Sequence, residues 1–296
     1  MAFEFEYSAK NPSYPVSYLK LRAMHSRLEI IWTGQAENQA QGLAQRVEQE
    51  MLAMEREFNR FSEKSPLAVL NLKAAKEDVS VGEDLFMALE LSEAFRRGTR
   101  GYFDIATSTS CGKDMVSYTL NPKSHSVRFN APEVTLDLGG FAKGFALERV
   151  SRMLSEEGVE RALLNFGSSS ISALGTHPYG EWWAVGVDHT KQHGIVAKEV
   201  RLKDSAMSVS GRNYKGEYHI VNPHTGASVA AEELILVEGR SALVCEVLST
   251  ALYAAPKTER EAIVSQYDGY RASEILCGDC GSVSIRKIGW RETLSE

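Results

Sequence analysis

The sequence predicts an α+β protein, a mixed unit of antiparallel sheets and flanking helices. Strand-like segments occur in runs, and segments with helical periodicity stand in separate blocks instead of alternating with single strands. With 296 residues, 43% of them hydrophobic, the chain is long enough to bury one large core. Neither an internal repeat nor a low-complexity linker divides it. We therefore expect a single domain over 1–296, in which 1–16 is an N-terminal extension.

Residues 17–22 and 27–32 alternate or run apolar and predict two strands. A helix is expected over 35–60, and another over 83–97 that ends before Gly98 and Gly101. Apolar residues at helical spacing support the first of these helices: Leu43, Val47, Met51, Met54 and Phe58.

Residues 108–130 are polar and rich in turn formers, which indicates an irregular connection that ends in a short strand. The alternation in 133–138 (EVTLDL) predicts a strand, broken by two glycines. A helix over 141–156 follows, with Gly158 as its expected C-cap.

The second half of the chain is predicted to contain more strands than helices. An apolar helix is expected over 241–253 and a short charged helix over 257–267. The predicted strands are 161–166, 183–188, 197–202, 205–210, 217–221, 233–237, 272–277 and 281–287.

Charge and hydropathy exclude several classes of partner. The net charge of −6 does not attract nucleic acid or an anionic membrane. No apolar run is long enough for a membrane span. The N-terminus lacks the pattern of a signal peptide, so we expect a cytoplasmic protein; an exported protein whose leader has been removed is the alternative.

The cysteines give little functional signal. Cys277 and Cys280 form a CxxC pair without a second pair or histidines nearby, and Cys111 and Cys245 have no ligand-like spacing. We interpret the CxxC segment as a turn that carries two thiols, with metal or redox chemistry as the alternative.

The segment 137–145 (DLGGFAKGF) combines a strand end, a glycine turn and a helix start. Gly139 and Gly140 allow a sharp turn and a close approach of backbone to ligand. Unpaired N–H groups at a helix start favour phosphate, and Lys143 in the first turn adds a positive charge that is unfavourable there without an anion. A tight turn with a solvated lysine is the alternative.

The segment 217–226 (EYHIVNPHTG) places a histidine before a turn. His219 can act as a base or bind phosphate near neutral pH, and Asn222-Pro223 opens the turn. A hydrogen-bonded histidine within a sheet is the alternative, with Thr225 stabilising the turn.

The helix over 241–253 carries Glu246 and Thr250, four residues apart and so on one face of an otherwise apolar helix. A buried carboxylate requires a partner. That partner is either a hard cation or an arginine or lysine from elsewhere in the chain.

Six motifs in order resemble the FAD:protein FMN transferases, the ApbE family, from about Met24 to the C-terminus. They are FNRFSEKSPLAVLN (58–71), GYFD (101–104), TLDLGGFAKGFALERV (135–150), LLNFG (163–167), YHIVNPHTG (218–226) and CEVLSTALYAA (245–255).

The resemblance implies an enzyme that uses Mg²⁺ to cleave FAD and transfers FMN to a Thr or Ser of an acceptor protein, releasing AMP. It also implies metal ligation by the Ala142 carbonyl, Glu246 and Thr250, with Lys143 near the phosphates and His219 as the candidate base. Residues implied at the FAD site are Met24, Phe61, Asp104, Gly140, Lys143, Glu148, Asn165, Gly167 and His219.

The sequence departs from the family pattern at several of these positions. Glu246 stands where the family usually has Asp, and Glu148 also replaces an acid that is usually Asp. The family's Gly-Gly-Asp/Asn turn is Gly-Ser-Ser-Ser at 167–170, and its Thr-Ser-Gly is Val-Ser-Gly at 209–211. Two alternatives therefore stay open: an FAD pyrophosphatase, with water as the acceptor, and a non-catalytic FAD-binding protein.

Overall fold

The structure is a computed structural model that describes residues 3–106, 116–211 and 220–290. These residues form fourteen strands and six helices. The strands are β1 (Phe3–Ser8), β2 (Val16–Ala23), β3 (Ser26–Thr33), β4 (Val79–Ser80), β5 (Tyr118–Asn121), β6 (Ser126–Phe129), β7 (Arg161–Phe166), β8 (Ser170–Leu174), β9 (Trp183–Asp188), β10 (Val196–Leu202), β11 (Ser205–Ser210), β12 (Leu234–Gly239), β13 (Arg271–Cys277) and β14 (Val283–Ile288). The helices are α1 (Glu37–Phe58), α2 (Pro66–Lys73), α3 (Glu83–Gly98), α4 (Ala142–Glu156), α5 (Ala242–Ala254) and α6 (Lys257–Val264).

Nine strands form one antiparallel sheet in the order β1-β2-β3-β7-β8-β11-β12-β13-β14. Strands β9 and β10 form a separate two-stranded sheet, and β4, β6 and β5 form a three-stranded one. The predicted α+β class with antiparallel sheets is confirmed. Residues 3–8, within the predicted N-terminal extension, pair with β2 at one edge of the large sheet.

The two faces of the large sheet are covered differently. Helices α1, α4 and α5 pack on one face, and α5 is apolar around most of its circumference because it lies buried between α4 and strands β8, β11 and β12. On the other face, Val185, Val187, Val200 and Leu202 of the two-stranded sheet pack against strands β8, β11 and β12. Alternate residues of these strands therefore serve two different cores.

Most predicted elements are confirmed to within a few residues, but two predictions in the middle of the chain are wrong. Residues 133–138 have the predicted alternation in burial without being a strand, because Asn71 bonds both the N–H and the C=O of Leu136, and Asp137 N donates to the Ile105 carbonyl at 2.8 Å. The described part of 108–130 contains a hairpin of two strands, β5 and β6, instead of one short strand.

Other elements were not predicted, or fall partly outside the described residues. Strands β1, β4 and β8 and helix α2 had no sequence prediction, and α6 ends at Val264, before the predicted end at 267. Of the strand predicted over 217–221, residues 217–219 lie outside the described residues, and Val221 forms an isolated bridge with Ser228. No helix among the described residues has both the length and the apolar character needed to cross a bilayer.

Candidate functional site

A cleft of about 1530 Å³ opens where the start of α4, the β7–β8 turn and α5 meet. The hairpin that connects β9 and β10 forms a further part of its wall. Described residues from the predicted site that line it are Asp104, Gly140, Lys143, Asn165, Gly167, Glu246 and Thr250. The structure thus brings together residues that are up to 146 positions apart in the sequence, from Asp104 to Thr250.

The turn before α4 is fixed by Asp137. Its Oδ1 accepts a hydrogen bond from Gly139 N at 2.9 Å, and its Oδ2 lies 3.1 Å from Nε of Arg60. A Cβ at Gly140 would lie 3.4 Å from Cγ2 and 3.5 Å from Oγ1 of Thr250. These are ordinary van der Waals distances, and they show that the turn lies directly against α5.

One turn further along, Gly144 sets the distance between α4 and α5. A Cβ there would lie 2.8 Å from the Ala242 carbonyl oxygen, 2.8 Å from Leu243 Cα and 3.0 Å from Glu246 Cβ. Such contacts are too short for any residue with a side chain to be accommodated without a shift. This close packing places Lys143, the preceding residue, next to Glu246.

Lys143 Nζ donates a hydrogen bond to Glu246 Oε1 in an ion pair. The other carboxylate oxygen, Oε2, accepts from Ser170 Oγ at 3.3 Å. Glu246 is only 2% exposed, so its charge requires such partners. Of the two partners that the sequence allows for Glu246, the structure therefore contains the lysine. The Lys143 ammonium, in turn, is paired with a carboxylate and is not simply solvated.

Hydroxyl groups continue from this pair along α5. Thr250 Oγ1 lies 3.5 Å from Ser210 Oγ, which lies 2.8 Å from Ser249 Oγ. Ser249 Oγ in turn lies 3.1 Å from Ser208 Oγ. These buried hydroxyls satisfy one another and fix the face of α5 that carries Glu246 and Thr250.

The donor set at this point suits a hard cation. Glu246 supplies a carboxylate and Thr250 a hydroxyl. Ala142, the first residue of α4, stands in the sequence between Gly140, where a Cβ would lie close to Thr250, and Gly144, where a Cβ would lie close to Glu246. Oxygen ligands of this kind are those that Mg²⁺ binds, with water or substrate phosphate completing the shell. No cluster of three or more His, Cys, Asp or Glu side chains with metal-site geometry occurs in the described parts of the chain, so one carboxylate would be the main charged ligand.

The β7–β8 turn forms the wall beside Lys143. Gly167 and Ser168 both have positive φ, +67° and +60°, and Asn165 Oδ1 accepts a hydrogen bond from Ser168 N at 3.0 Å. A Cβ at Gly167 would lie 3.8 Å from Cδ of Lys143. That distance is an ordinary van der Waals contact, so glycine is favoured at 167 by its positive φ and by Ser26 Oγ, which would lie 3.2 Å from the Cβ.

Asp104 also lines the cleft. Burial raises its pKa above the ordinary value, although the hydrogen bond from Ala106 N to Oδ1, at 2.8 Å, acts in the other direction. A carboxyl group that is short of solvent and lines a cleft is a common feature of functional sites.

The turn at 222–226 is held to the end of α5. Asn222 Nδ2 donates to the Ala254 carbonyl at 3.0 Å, and Asn222 Oδ1 accepts from His224 N at 2.8 Å. The His224 ring stacks on Tyr102, with centroids 4.3 Å apart, and its Nε2 lies 3.0 Å from the Arg100 carbonyl oxygen. His219, the predicted base, lies outside the described residues.

Four predicted site residues are not among the described residues that line the cleft: Met24, Phe61, Ala142 and Glu148. Phe61 is 71% exposed and packs under the Arg60 guanidinium. Glu148 Oε2 accepts a hydrogen bond from Ser241 Oγ, the N-cap of α5, at 2.8 Å. In this structure, therefore, Glu148 holds the start of α5.

The sequence places Asp137, Ser170 and Ser210 within motif segments but gives no role to their side chains, and it does not predict that 189–194 of the β9–β10 hairpin lines the cleft. Ser170 and Ser210 belong to short segments whose pattern indicates burial. That pattern does not show which side chains the two hydroxyls contact. The signal that could have identified Asp137 is its position two residues before Gly139, a spacing typical of an Asx turn.

Comparison with known proteins finds a match to the model of the ApbE family over residues 24–111 and 111–273. A relative named FAD:protein FMN transferase from Rhodobacter capsulatus is 29% identical over 155 residues, covering 50% of this chain and 29% of the relative. Another of the same name, from Chlamydia muridarum, is 25% identical over 199 residues, covering 57% of this chain and 60% of the relative. The chain thus matches less than two thirds of the length of these relatives.

Solved structures share the fold over almost the whole chain. The flavin transferase ApbE from Vibrio cholerae superimposes with a TM-score of 0.79 at 17% identity, covering 93% of this chain and 97% of that one. The ApbE protein from Thermotoga maritima gives a TM-score of 0.76 at 21% identity, covering 94% and 96%.

Proposed function

The chain belongs to the ApbE family, and from this we propose that it is a Mg²⁺-dependent FAD:protein FMN transferase. The observation that supports the proposal most directly is the convergence of Lys143, Glu246 and Thr250 at the cleft, next to the Gly139-Gly140 turn. A positive helix start, a lysine and oxygen ligands for a cation together suit a diphosphate.

In the proposed reaction, the hydroxyl oxygen of a Thr or Ser in the acceptor protein attacks the phosphorus of the FMN half of FAD. The bond from this phosphorus to the bridging oxygen breaks, and AMP leaves with that oxygen. The hydroxyl proton passes to a base, for which His219 remains the candidate. FAD and the acceptor protein are thus the proposed partners.

The residues of this chain have distinct proposed roles. Glu246, Thr250 and the Ala142 carbonyl would hold Mg²⁺, which withdraws charge from the phosphoryl oxygens when it is bound. Lys143 binds the diphosphate, and Asp104, Asn165 and the Gly140 and Gly167 backbone form the surrounding walls. Met24, Phe61 and Glu148 belong to the proposed FAD site through the family resemblance, with Glu148 acting through the start of α5.

The test measures AMP release from FAD with purified protein, first with Mg²⁺ and then with a chelator in its place. We expect release that requires Mg²⁺, and FMN fluorescence on an acceptor protein after denaturing electrophoresis. Release of AMP and free FMN with no transfer to any acceptor would instead identify an FAD pyrophosphatase.

One observation favours the other alternative, a non-catalytic FAD-binding protein. Both oxygens of Glu246 already have partners within the chain, so the carboxylate is satisfied without a cation. FAD binding without AMP release at any Mg²⁺ concentration would support this alternative and contradict the transferase.

A further inference from the structure

The carboxylate of Glu246 is held by two donors that differ in their freedom to leave. Ser170 is 1% exposed, and its hydroxyl is attached through a single Cβ to the backbone of strand β8, so it cannot move far from Glu246. The Lys143 side chain is 20% exposed, has a flexible four-carbon stem and lines the cleft. Lys143 is therefore the donor that can exchange.

A divalent cation at Glu246 would compete with the lysine that is already there. Two cationic groups on one carboxylate repel each other, and the repulsion is strong because the site is buried. If the lysine moves away, its ammonium needs another anion, since a partly buried unpaired charge is unfavourable. Within the cleft, a diphosphate supplies that anion.

We propose that Lys143 is an internal substitute for the cation on Glu246, and that it transfers to the diphosphate when substrate and cation bind. This inference rests on the proposed function. Each ligand then removes an obstacle to the other: the diphosphate draws the lysine from Glu246, and the cation displaces the lysine toward the diphosphate. The two affinities must rise by the same factor, because coupling between sites is reciprocal.

The lysine stem lies along the β7–β8 turn, where its Cδ would be in ordinary van der Waals contact, 3.8 Å, with a Cβ at Gly167. Ser170 meanwhile stays on Oε2 and preserves the orientation of the carboxylate while its other oxygen changes partner.

The test measures binding without turnover. Mn²⁺ binding to the full chain is followed by electron paramagnetic resonance, with and without ADP as a probe that carries the diphosphate. For the wild type we expect ADP to tighten Mn²⁺ binding. Lys143→Met should bind Mn²⁺ on the order of tenfold more tightly without ADP, and the tightening by ADP should shrink, within the range typical of coupled sites.

Matched variants separate the lysine from general electrostatics. Lys191→Met removes the same charge from the same cleft but leaves Glu246 untouched, because Lys191 pairs with the exposed Asp279 at 3.6 Å. It should leave Mn²⁺ affinity within about twofold of the wild type, since the Lys191 charge is 39% exposed and already paired with Asp279. Lys143→Gln is a second uncharged variant, which replaces Lys143→Met if circular dichroism shows the latter to be unfolded.

Mn²⁺ affinity of folded Lys143→Met or Lys143→Gln equal to or weaker than wild type would overturn the inference. An equal gain in Lys191→Met would overturn it too, because the effect would then be non-specific. Neither result depends on AMP release. The inference can thus fail while FAD cleavage by the wild type stands, and cleavage can fail while the binding data support the exchange.

Discussion

Gly144 on α4 and Leu243 on α5 approach so closely that a Cβ at Gly144 would lie 2.8 Å from the Leu243 Cα. The opposing atoms include backbone, which cannot move like the end of a flexible side chain. Overpacking of this kind typically costs about 1–3 kcal/mol, and alanine's helix propensity returns at most about 1 kcal/mol. Gly144→Ala should therefore lower the free energy of unfolding. Urea denaturation measures this change.

Gly42→Ala is the matched control for that substitution. Gly42 also lies within a helix, α1, but a Cβ there would have no atom within 4 Å. Its replacement should raise stability by about 0.5–1 kcal/mol. Equal effects of the two substitutions would show that packing between α4 and α5 does not restrict position 144.

Glu246 tests the role of the carboxylate in turnover. Glu246→Ala should abolish Mg²⁺-dependent AMP release, because the cation loses its charged ligand. Glu246→Asp should keep or raise activity, because the longer glutamate places the cation away from the position that the family's usual Asp would give it. Positioning errors of about 1 Å can cost on the order of a hundredfold in rate. Equal, metal-independent rates in wild type and both variants would show that Glu246 is not a ligand.

Lys143 tests the phosphate interaction through its salt dependence. Lys143→Ala should weaken FAD binding at low salt, because the diphosphate loses an ammonium and meets an uncompensated Glu246 carboxylate. The difference from wild type should shrink as salt rises, since ions screen the interaction at a partly exposed group. Titration of flavin fluorescence at several ionic strengths measures this, and unchanged affinity at low salt would contradict the assignment.

Asp104 links stability to pH. Burial raises its pKa in the folded protein above the ordinary value of 3.8, so the folded state binds the proton more tightly than the unfolded state. The stabilisation from protonated Asp104 is complete below the ordinary pKa and is lost as pH rises through the folded pKa. Asp104→Asn can still accept from Ala106 N and removes this titration.

The stability of Asp104→Asn relative to wild type should therefore increase as pH rises from about 4 and level off above the raised pKa. Denaturant unfolding at a series of pH values gives this difference directly. A difference that stays constant over the whole series would show that the folded and unfolded pKa values of Asp104 are the same.

The sequence predicted those elements whose burial pattern matches one period over a long segment. Helices α1, α3, α4 and α5 follow from the sequence because apolar residues repeat along one face, or around most of the circumference in α5. Strand β8 was missed because its burial is nearly continuous, so no alternation is visible, and because its five residues, SISAL, include two serines. Residues 133–138 show the opposite error, since alternation reports which side chains are buried but not what bonds the backbone.

Site prediction was limited by distance along the chain. That Glu246 needs a partner follows from an acid on an apolar helix, and that Lys143 needs an anion follows from its place in a first turn. That each is the partner of the other, 103 residues apart, could not be predicted from either segment. The relationship depends on Gly144, whose role emerges only when α4 and α5 are packed together.

The pairing of β3 with β7 has a consequence for how the chain folds. These two neighbouring strands are separated in the sequence by residues 34–160, so they can pair only after the intervening segment has folded back to the sheet. Such non-local pairing requires loop closure before its contacts form, which slows folding. During synthesis, Lys143 emerges well before Glu246, so the first turn of α4 cannot pack against α5 until α5 has been synthesised. Completion of the cleft is thus a late event, and ribosome-bound chains that end before α5 should not bind FAD.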